Sequence, residues 1–331
     1  MPSTLKRIVV LATSGTISMK VDASGAAFKA LNAADLVALL PPIEDVAIEA
    51  VDFEHNIGYS VTNDMMLALA TQVTRLCSRQ DVDAVVVTHG TDVMEEVATL
   101  VDLMVKSHKP IVFTGAMRNA SMLGSDGPHN LLSAMRIAAF PGSAGRGVLI
   151  CMNDSIHAAR AVTKTHTSLV STFDSPNLGA IGYIDNNVPH YKDLRLSWPH
   201  YGLPKVLMDV PLIWVYAGQS TALFELAVSQ TRGVVIAAKG IGHVPAWWMP
   251  HIRQAVDNGV VIVVASQCGS GSTGLQYGGP GSDRDLLDAG AIFAGYRRPL
   301  QARLELMCAI SSGLSTDGIR DAFATSSLGA V

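Results

Sequence analysis

Four short stretches of this sequence carry residue types that could attack a carbonyl group. Thr13-Ser14-Gly15-Thr16 follows an apolar run over residues 8–12, and Thr88-His89-Gly90-Thr91-Asp92 follows another that peaks over 85–87. Thr114-Gly115-Ala116-Met117-Arg118 comes after a third, and Val162-Thr163-Lys164-Thr165-His166 supplies a lysine. A hydroxyl near its own high pKa is a weak nucleophile and needs a base or charge relay beside it. Lys164 is the candidate for that role, and Asp92 could either hold the lysine in place or bind a cationic group on a substrate. Glycines between the hydroxyls let backbone approach a ligand, and adjacent N–H groups can stabilise an oxyanion. A structural reading stands beside the chemical one. Threonines after strands commonly cap helices, and Asp92 equally reads as the cap of the helix that follows it.

The elements around these stretches predict how they would be positioned. Residues 8–12, 84–88, 110–114 and 147–152 read as buried strands, short, rich in Val and Ile, and bounded by turn residues. Amphipathic stretches at 33–40, 63–76, 92–106 and 130–139 read as helices between them, with Asn32 as a cap. Strand and helix in alternation predict parallel βαβ units, and in such sheets ligands bind in the loops beyond the C-terminal strand ends. Residues 185–211 break the pattern with Asn186-Asn187 and prolines 189, 199, 204 and 211. Strands at 212–216, 233–237 and 260–266 and helices at 222–230, 247–258 and 299–312 follow. The expected organisation is an N-terminal α/β domain over 1–190 carrying the threonines, a linker over 191–211 and a smaller C-terminal α/β domain over 212–331.

Composition narrows the classes. The 331 residues are 49% apolar and only 16% charged, with a net charge of −4. That argues against a nucleic-acid partner and for a protein that buries surface against copies of itself. Cys77, Cys151, Cys268 and Cys308 form no C-x-x-C pair and are expected to be buried free thiols. His89, His129, His157 and His166 show no metal-ligand spacing, and no metal or cofactor is expected. Gly269-Ser270-Gly271-Ser272 and Gly278-Gly279-Pro280-Gly281 lack the lysine and hydroxyl of a phosphate loop and read as mobile loops. The five apolar residues after Lys6 and Arg7 fall short of the ~7–15 of a signal peptide. No run reaches the ~18 apolar residues of a membrane helix, so the cytoplasm is the expected compartment.

Thr13-Ser14-Gly15-Thr16-Ile17 resembles the T-G-G-T-I signature of the bacterial-type asparaginases, and 88–96, THGTDVMEE, resembles their second signature, T-H-G-T-D-T-M-E-E. The stretch 109–118, Ser125-Asp126-Gly127 with Asn130-Leu131, Asn153-Asp154, Ala159-Arg160 and Thr163-Lys164-Thr165 are similar to family segments in the family's order. So are Ala289-Gly290, Gly295, Pro299 and Ala302-Arg303. The resemblance implies an asparaginase-like α/β fold of two domains and a tetramer of close dimers, its sites completed by a neighbouring C-terminal domain. It implies a small-molecule amide substrate and no cofactor. By position, Thr16 becomes the nucleophile that forms an acyl-enzyme, and Thr91 sits at the reacting carbonyl and contributes its N–H to the oxyanion. Lys164 tunes the Thr91 hydroxyl, and Asp92 grips the substrate's ammonium. Gly15, Tyr59, Ser60, Gly90, Ala116 and Asp283 (or Asp285) are the implied substrate-binding positions.

The departures fall at recognition. Ser14 replaces a glycine and Val93 a threonine. The family's loop tyrosine has no match within 21–30, where the nearest aromatic is Phe28. The Ser-Gln pair that binds the substrate carboxylate falls in 56–61 as Tyr59-Ser60, without the glutamine. A pocket that hydrogen-bonds a polar group discriminates for it by up to ~10⁴-fold, so these changes are expected to shift specificity more than reaction type. A pocket that binds an amino-acid-like ligand without turnover is the alternative.

Overall fold

A computed structural model describes residues 5–325 apart from 23, 25, 55–57 and 194–197. The chain divides into two compact units, Met1–Leu196 and Ser197–Val331. In the first, the elements run β1 (Lys6–Ala12), a 3-10 turn (Thr16–Ser18), β2 (Met19–Val21), β3 (Ala27–Lys29), α1 (Ala33–Ala38), β4 (Val46–Asp52), α2 (Asn63–Ser78), β5 (Ala84–Thr88) and α3 (Met94–Met104). They continue through β6 (Ile111–Thr114), α4 (Gly127–Ala139), β7 (Val148–Met152), β8 (Ser155–Ala158), β9 (Thr163–Lys164), β10 (Phe173–Asp174), β11 (Gly182–Asp185) and β12 (Val188–Tyr191).

Eight of these strands form one sheet in the order β12-β11-β8-β7-β6-β5-β1-β4. The strands from β4 to β7 are parallel, and β8, β11 and β12 add antiparallel. Ile8, Val9, Val10 and Leu11 of β1 and Val85, Val86 and Val87 of β5 have no exposed surface, which is why both read as unbroken apolar runs. Local signals set the boundaries. Asn32 and Asp35 form a reciprocal cap on α1, each side chain accepting the other's backbone N–H at 2.9 Å. Thr62 caps α2 by accepting from the Met65 N–H at 3.2 Å.

The antiparallel edge departs from the expected run of parallel βαβ units. Val188–Tyr191, inside the stretch read as a break, is β12, paired to β11 across an Asn186-Asn187 turn whose φ angles are 45° and 68°. Asn153-Asp154 turns β7 into β8 in the same left-handed conformation, which Asn and Asp tolerate. β4 does not read as a strand because Glu49 interrupts its apolar run. It lies at the sheet edge, where a charged side chain can reach solvent.

β1 lies between β4 and β5. The chain leaves β1 for α1 and β4 on one side, then returns through α2 to β5 on the other. The chain therefore reverses its direction across the sheet between β1 and β5, and their C-terminal ends form its switch point, the usual place for a ligand crevice. Both threonine loops are there.

The second unit holds a parallel four-stranded sheet, β13 (Leu212–Trp214), β14 (Gly233–Ala238), β15 (Val261–Ser266) and β16 (Ile292–Phe293), in that order. Its helices are α5 (Ala222–Gln230), α6 (Met249–Asp257), α7 (Asp283–Asp288), α8 (Pro299–Ser311) and α9 (Thr316–Thr325). The helix expected over 247–258 starts late, because Ala246–Trp248 forms a 3-10 turn and buries Trp248. Cys151 and Cys308 are buried and in no disulfide, as expected, Cys77 is half-buried, and Cys268 is exposed. Among the described residues no helix is long and apolar enough to cross a membrane.

Candidate active site

The loop after β1 is tied to the loop after β5 by backbone. Thr13 donates both its N–H (3.1 Å) and its hydroxyl (2.8 Å) to the Thr88 carbonyl. Gly15 then takes φ 107°, and a Cβ there would stand 2.4 Å from the Cα of Gly90. Only a bare backbone fits, so the two glycines bring the two loops into contact. Immediately after Gly15 the chain makes the 3-10 turn Thr16–Ser18, closed by Ser18, whose N–H and hydroxyl both donate to the Gly15 carbonyl at 2.9 Å. Thr13 and Ser18 are thus structural, whereas Thr16 heads the turn at the cavity.

The next loops are fixed in the same way. His89 donates its N–H to the Thr114 carbonyl at 2.8 Å, and the Thr114 hydroxyl donates to the Cys151 carbonyl at 2.8 Å. The Asp126 carboxylate accepts the N–H groups of Met117 and Arg118, and Asn130 donates its amide to the Gly115 carbonyl at 3.0 Å. The Ser125-Asp126-Gly127 motif therefore folds a loop; it presents no reacting group.

α3 positions Lys164. The Thr99 hydroxyl donates to the Ala159 carbonyl at 2.9 Å, and Asp102 holds Arg160 in a buried ion pair, Nε to Oδ2 2.5 Å. Glu95 accepts the backbone N–H of Lys164 at 2.6 Å. Three α3 side chains, at successive turns or nearly so, fix residues 159–164. Lys164 Nζ then donates to Thr91 Oγ1 at 2.9 Å and to Asp92 Oδ1 at 2.7 Å. Asp92 does not cap α3: the N-cap residue is Val93, and its side chain makes no capping bond. Lys164 is mostly buried and Asp92 mostly exposed, so the pair runs from the floor of the site to its mouth.

Thr16, Thr91, Asp92 and Lys164 line one cavity of about 170 Å³ together with Gly15, Gly90 and Tyr59. Of the other positions expected in the first unit, Ser60 and Ala116, neither enters that wall. Ser60 is exposed and outside it, and residues 56–57 lie outside the described residues. Ala116 turns into the core, and its neighbour Met117 takes the wall position. Phe28 is exposed on β3 and does not line it, and the Ser14 side chain is buried behind it. Asp283 has no exposed surface. Burial pushes its pKa up, but N–H donors from Gln276, Tyr277 and Arg284 outweigh that and hold it below the ordinary carboxylate range. Those bonds anchor Asp283 to its own loop in the second unit, and its expected role, lent to the site of a neighbouring subunit, is one that a single chain does not test. Met19, Gly58, Val93, Met117 and Thr167 complete the wall, and spacing alone gave no sign of them.

His89 is a framework group. Its Nδ1 lies 2.7 Å from the Gly90 carbonyl, which can only accept, so Nδ1 carries the proton. Burial pushes its pKa down to about 4, partly offset by that carbonyl, and keeps it neutral behind Gly90. His129 bonds Asp154 at 2.8 Å, away from the cavity. Among the described residues no group of three His, Cys, Asp or Glu side chains is placed to hold a metal ion.

Fold and site together define a two-unit α/β protein in which two threonines, one bonded to lysine, line a single cleft at the switch point of the first unit's sheet. Residues 7–196 match the family model of the asparaginase N-terminal domain, and residues 209–323 that of the glutaminase/asparaginase C-terminal domain. The chain is 33% identical to L-asparaginase 2 of Escherichia coli over 96% of its own length and 93% of that protein. It is 33% identical to L-asparaginase 2 of Bacillus subtilis, covering 93% and 83% respectively. A probable periplasmic L-asparaginase of Haemophilus influenzae is 35% identical, covering 93% and 89%. This chain belongs to the asparaginase family.

Proposed function

We propose that this chain is a hydrolase of linear amides that cleaves the side-chain amide of asparagine, or of an N-substituted relative, through an acyl-enzyme on Thr16. The Thr16 oxygen bonds to the amide carbon, the carbon–nitrogen bond breaks, and the Thr16 proton leaves on the departing ammonia or amine. Water then adds to the ester carbon, freeing the carboxylic acid and restoring the Thr16 hydroxyl. Lys164 donates to Thr91 Oγ1, which leaves the Thr91 proton to be directed into the cavity. Backbone N–H groups of the Gly90–Thr91 loop meet the developing oxyanion, and Asp92, at the mouth, takes a cationic group of the substrate.

The observation that carries this reading is the Lys164 Nζ to Thr91 Oγ1 contact of 2.9 Å in the cavity that Thr16 lines. The names of the relatives support asparagine as a substrate. The test is a panel of asparagine, glutamine, N-alkyl asparagines and a D-amino acid amide, run on wild type and Thr16→Ala with ammonia or amine and acid both measured. Turnover of at least one amide by wild type, lost in Thr16→Ala, is expected. No turnover of any amide, with ligand-induced stabilisation alone, would leave a binding protein instead.

We further propose that the chain acts in the cytoplasm as a dimer of dimers. Trp214, Tyr216, Leu223 and Leu226 expose apolar surface on the second unit, which a second copy would cover. A light-scattering mass of one chain, 34.9 kDa, would remove the oligomer.

A further inference from the structure

Lys164 and Thr167 reach the cavity from one hairpin, β9 paired antiparallel with β10, whose loop is 165–172. The base of that loop is closed by Thr165, whose N–H (2.7 Å) and hydroxyl (2.8 Å) both donate to the Thr172 carbonyl. Its middle is closed by the Thr172 hydroxyl, which accepts the His166 N–H at 2.9 Å and donates to the His166 carbonyl. The tip is closed by one atom. His166 Nδ1 accepts the backbone N–H of Ser168 at 3.1 Å and of Leu169 at 3.2 Å. The residue inside that double bond is Thr167, which lines the cavity. A ring nitrogen that accepts two N–H groups carries no proton, so the tautomer is fixed with the hydrogen on Nε2.

We propose that His166 is a positioning residue of the site: its unprotonated Nδ1 holds Thr167 at the cavity wall, and protonation releases it. An imidazolium has an N–H at both nitrogens, so both backbone donors would face a donor and the tip would open. The charged side chains on the hairpin are Lys164 and Asp174, and the α3 side of the cavity adds Asp92 and Glu95. Lys164 and Asp92 are paired with each other, and Glu95 is bonded to the Lys164 N–H. Asp174 bonds the Ser175 N–H at 2.7 Å. The group whose nitrogen closes the tip is therefore His166 itself.

The kinetic half of the test rests on the amide hydrolysis proposed above; the structural half does not. Steady-state kinetics are compared at about pH 7.5 and about pH 5.5, a window in which imidazoles titrate. Wild-type KM is expected to rise roughly three- to tenfold on acidification, the scale of one or two lost hydrogen bonds, with a smaller change in kcat. His166→Asn keeps an oxygen that accepts the N–H two residues on at any pH and should hold KM level. His166→Ala should show the raised KM at both pH values, as should Thr167→Ala. In parallel, hydrogen exchange should show residues 168–169 losing protection at the lower pH in wild type and keeping it in His166→Asn. A His166→Asn enzyme with the wild-type pH dependence, or protection at 168–169 that ignores both pH and the substitution, overturns the proposal. If no amide is turned over, the hydrolase reading fails, and the exchange measurement still decides the role of His166.

Discussion

Gly15 shows how tightly the site depends on single atoms. A methyl group at that position would overlap the Gly90 backbone, with Cα at 2.4 Å and N at 2.5 Å, in a φ of 107° that side chains rarely adopt. Neither loop can retreat, since Thr13 ties the first to Thr88 and His89 ties the second to Thr114. Gly15→Ala is expected to force the loops apart and lower kcat/KM at least about 100-fold, as a misplacement on the order of 1 Å does at a reacting centre. Far-ultraviolet circular dichroism should stay near wild type; full activity in this variant would contradict the contact. Much of the site was legible at this scale. The hydroxyl–glycine clusters and Lys164 stood out as chemistry, and the structure puts Thr16, Thr91, Asp92 and Lys164 on one cavity. What spacing could not give was side-chain direction. Ala116 and Met117 are adjacent, yet one faces core and the other cavity, and that depends on how Asp126 folds the loop.

Elements turn these residues into a site. α3 grips the strand-like segment 159–164 through Thr99, Asp102 and Glu95, so Lys164 is set by a helix distant from it in sequence. The Asp102 carboxylate also accepts the Val148 N–H at 2.7 Å, which ties the start of β7 to the same point. Asp102→Ala would leave the Arg160 guanidinium buried without its carboxylate. Breaking such a pair costs about 3–5 kcal/mol, and the urea midpoint should fall accordingly. Because Arg160 precedes Lys164 by one short segment, kcat should fall as well. A variant of unchanged stability and activity would show that the ion pair plays no part in placing Lys164. The parallel strands were legible because burial on both faces leaves continuous apolar runs. The antiparallel β8, β11 and β12 were not. Val188–Tyr191 includes Pro189 and reads as a loop, and its place at the sheet edge is what makes a proline acceptable there.

Across the whole molecule, two neutral histidines link stability to pH. Burial pushes His89 down to about 4. It also pushes His157 to about 4, with Asp174 raising it and Lys192 lowering it further. In the unfolded chain an imidazole takes its proton near 6.5, so between about 4 and about 6.5 the unfolded state binds more protons. Stability is therefore complete above about pH 6.5 and declines as pH falls toward 4, by up to roughly 3 kcal/mol per histidine. Urea midpoints taken through this range should fall, and less steeply in His157→Gln. A flat profile would mean that these imidazoles are protonated in the folded state.

Capture of the covalent intermediate tests the central claim most directly. The wild-type protein is mixed with a turned-over amide, quenched in acid during the steady state, digested and measured by mass spectrometry. An acyl group of the substrate's mass less its amine should appear on the peptide containing residue 16, at the Thr16 oxygen, and be absent from Thr16→Ala. An adduct on Thr91 instead, or undiminished hydrolysis by Thr16→Ala, would contradict the account.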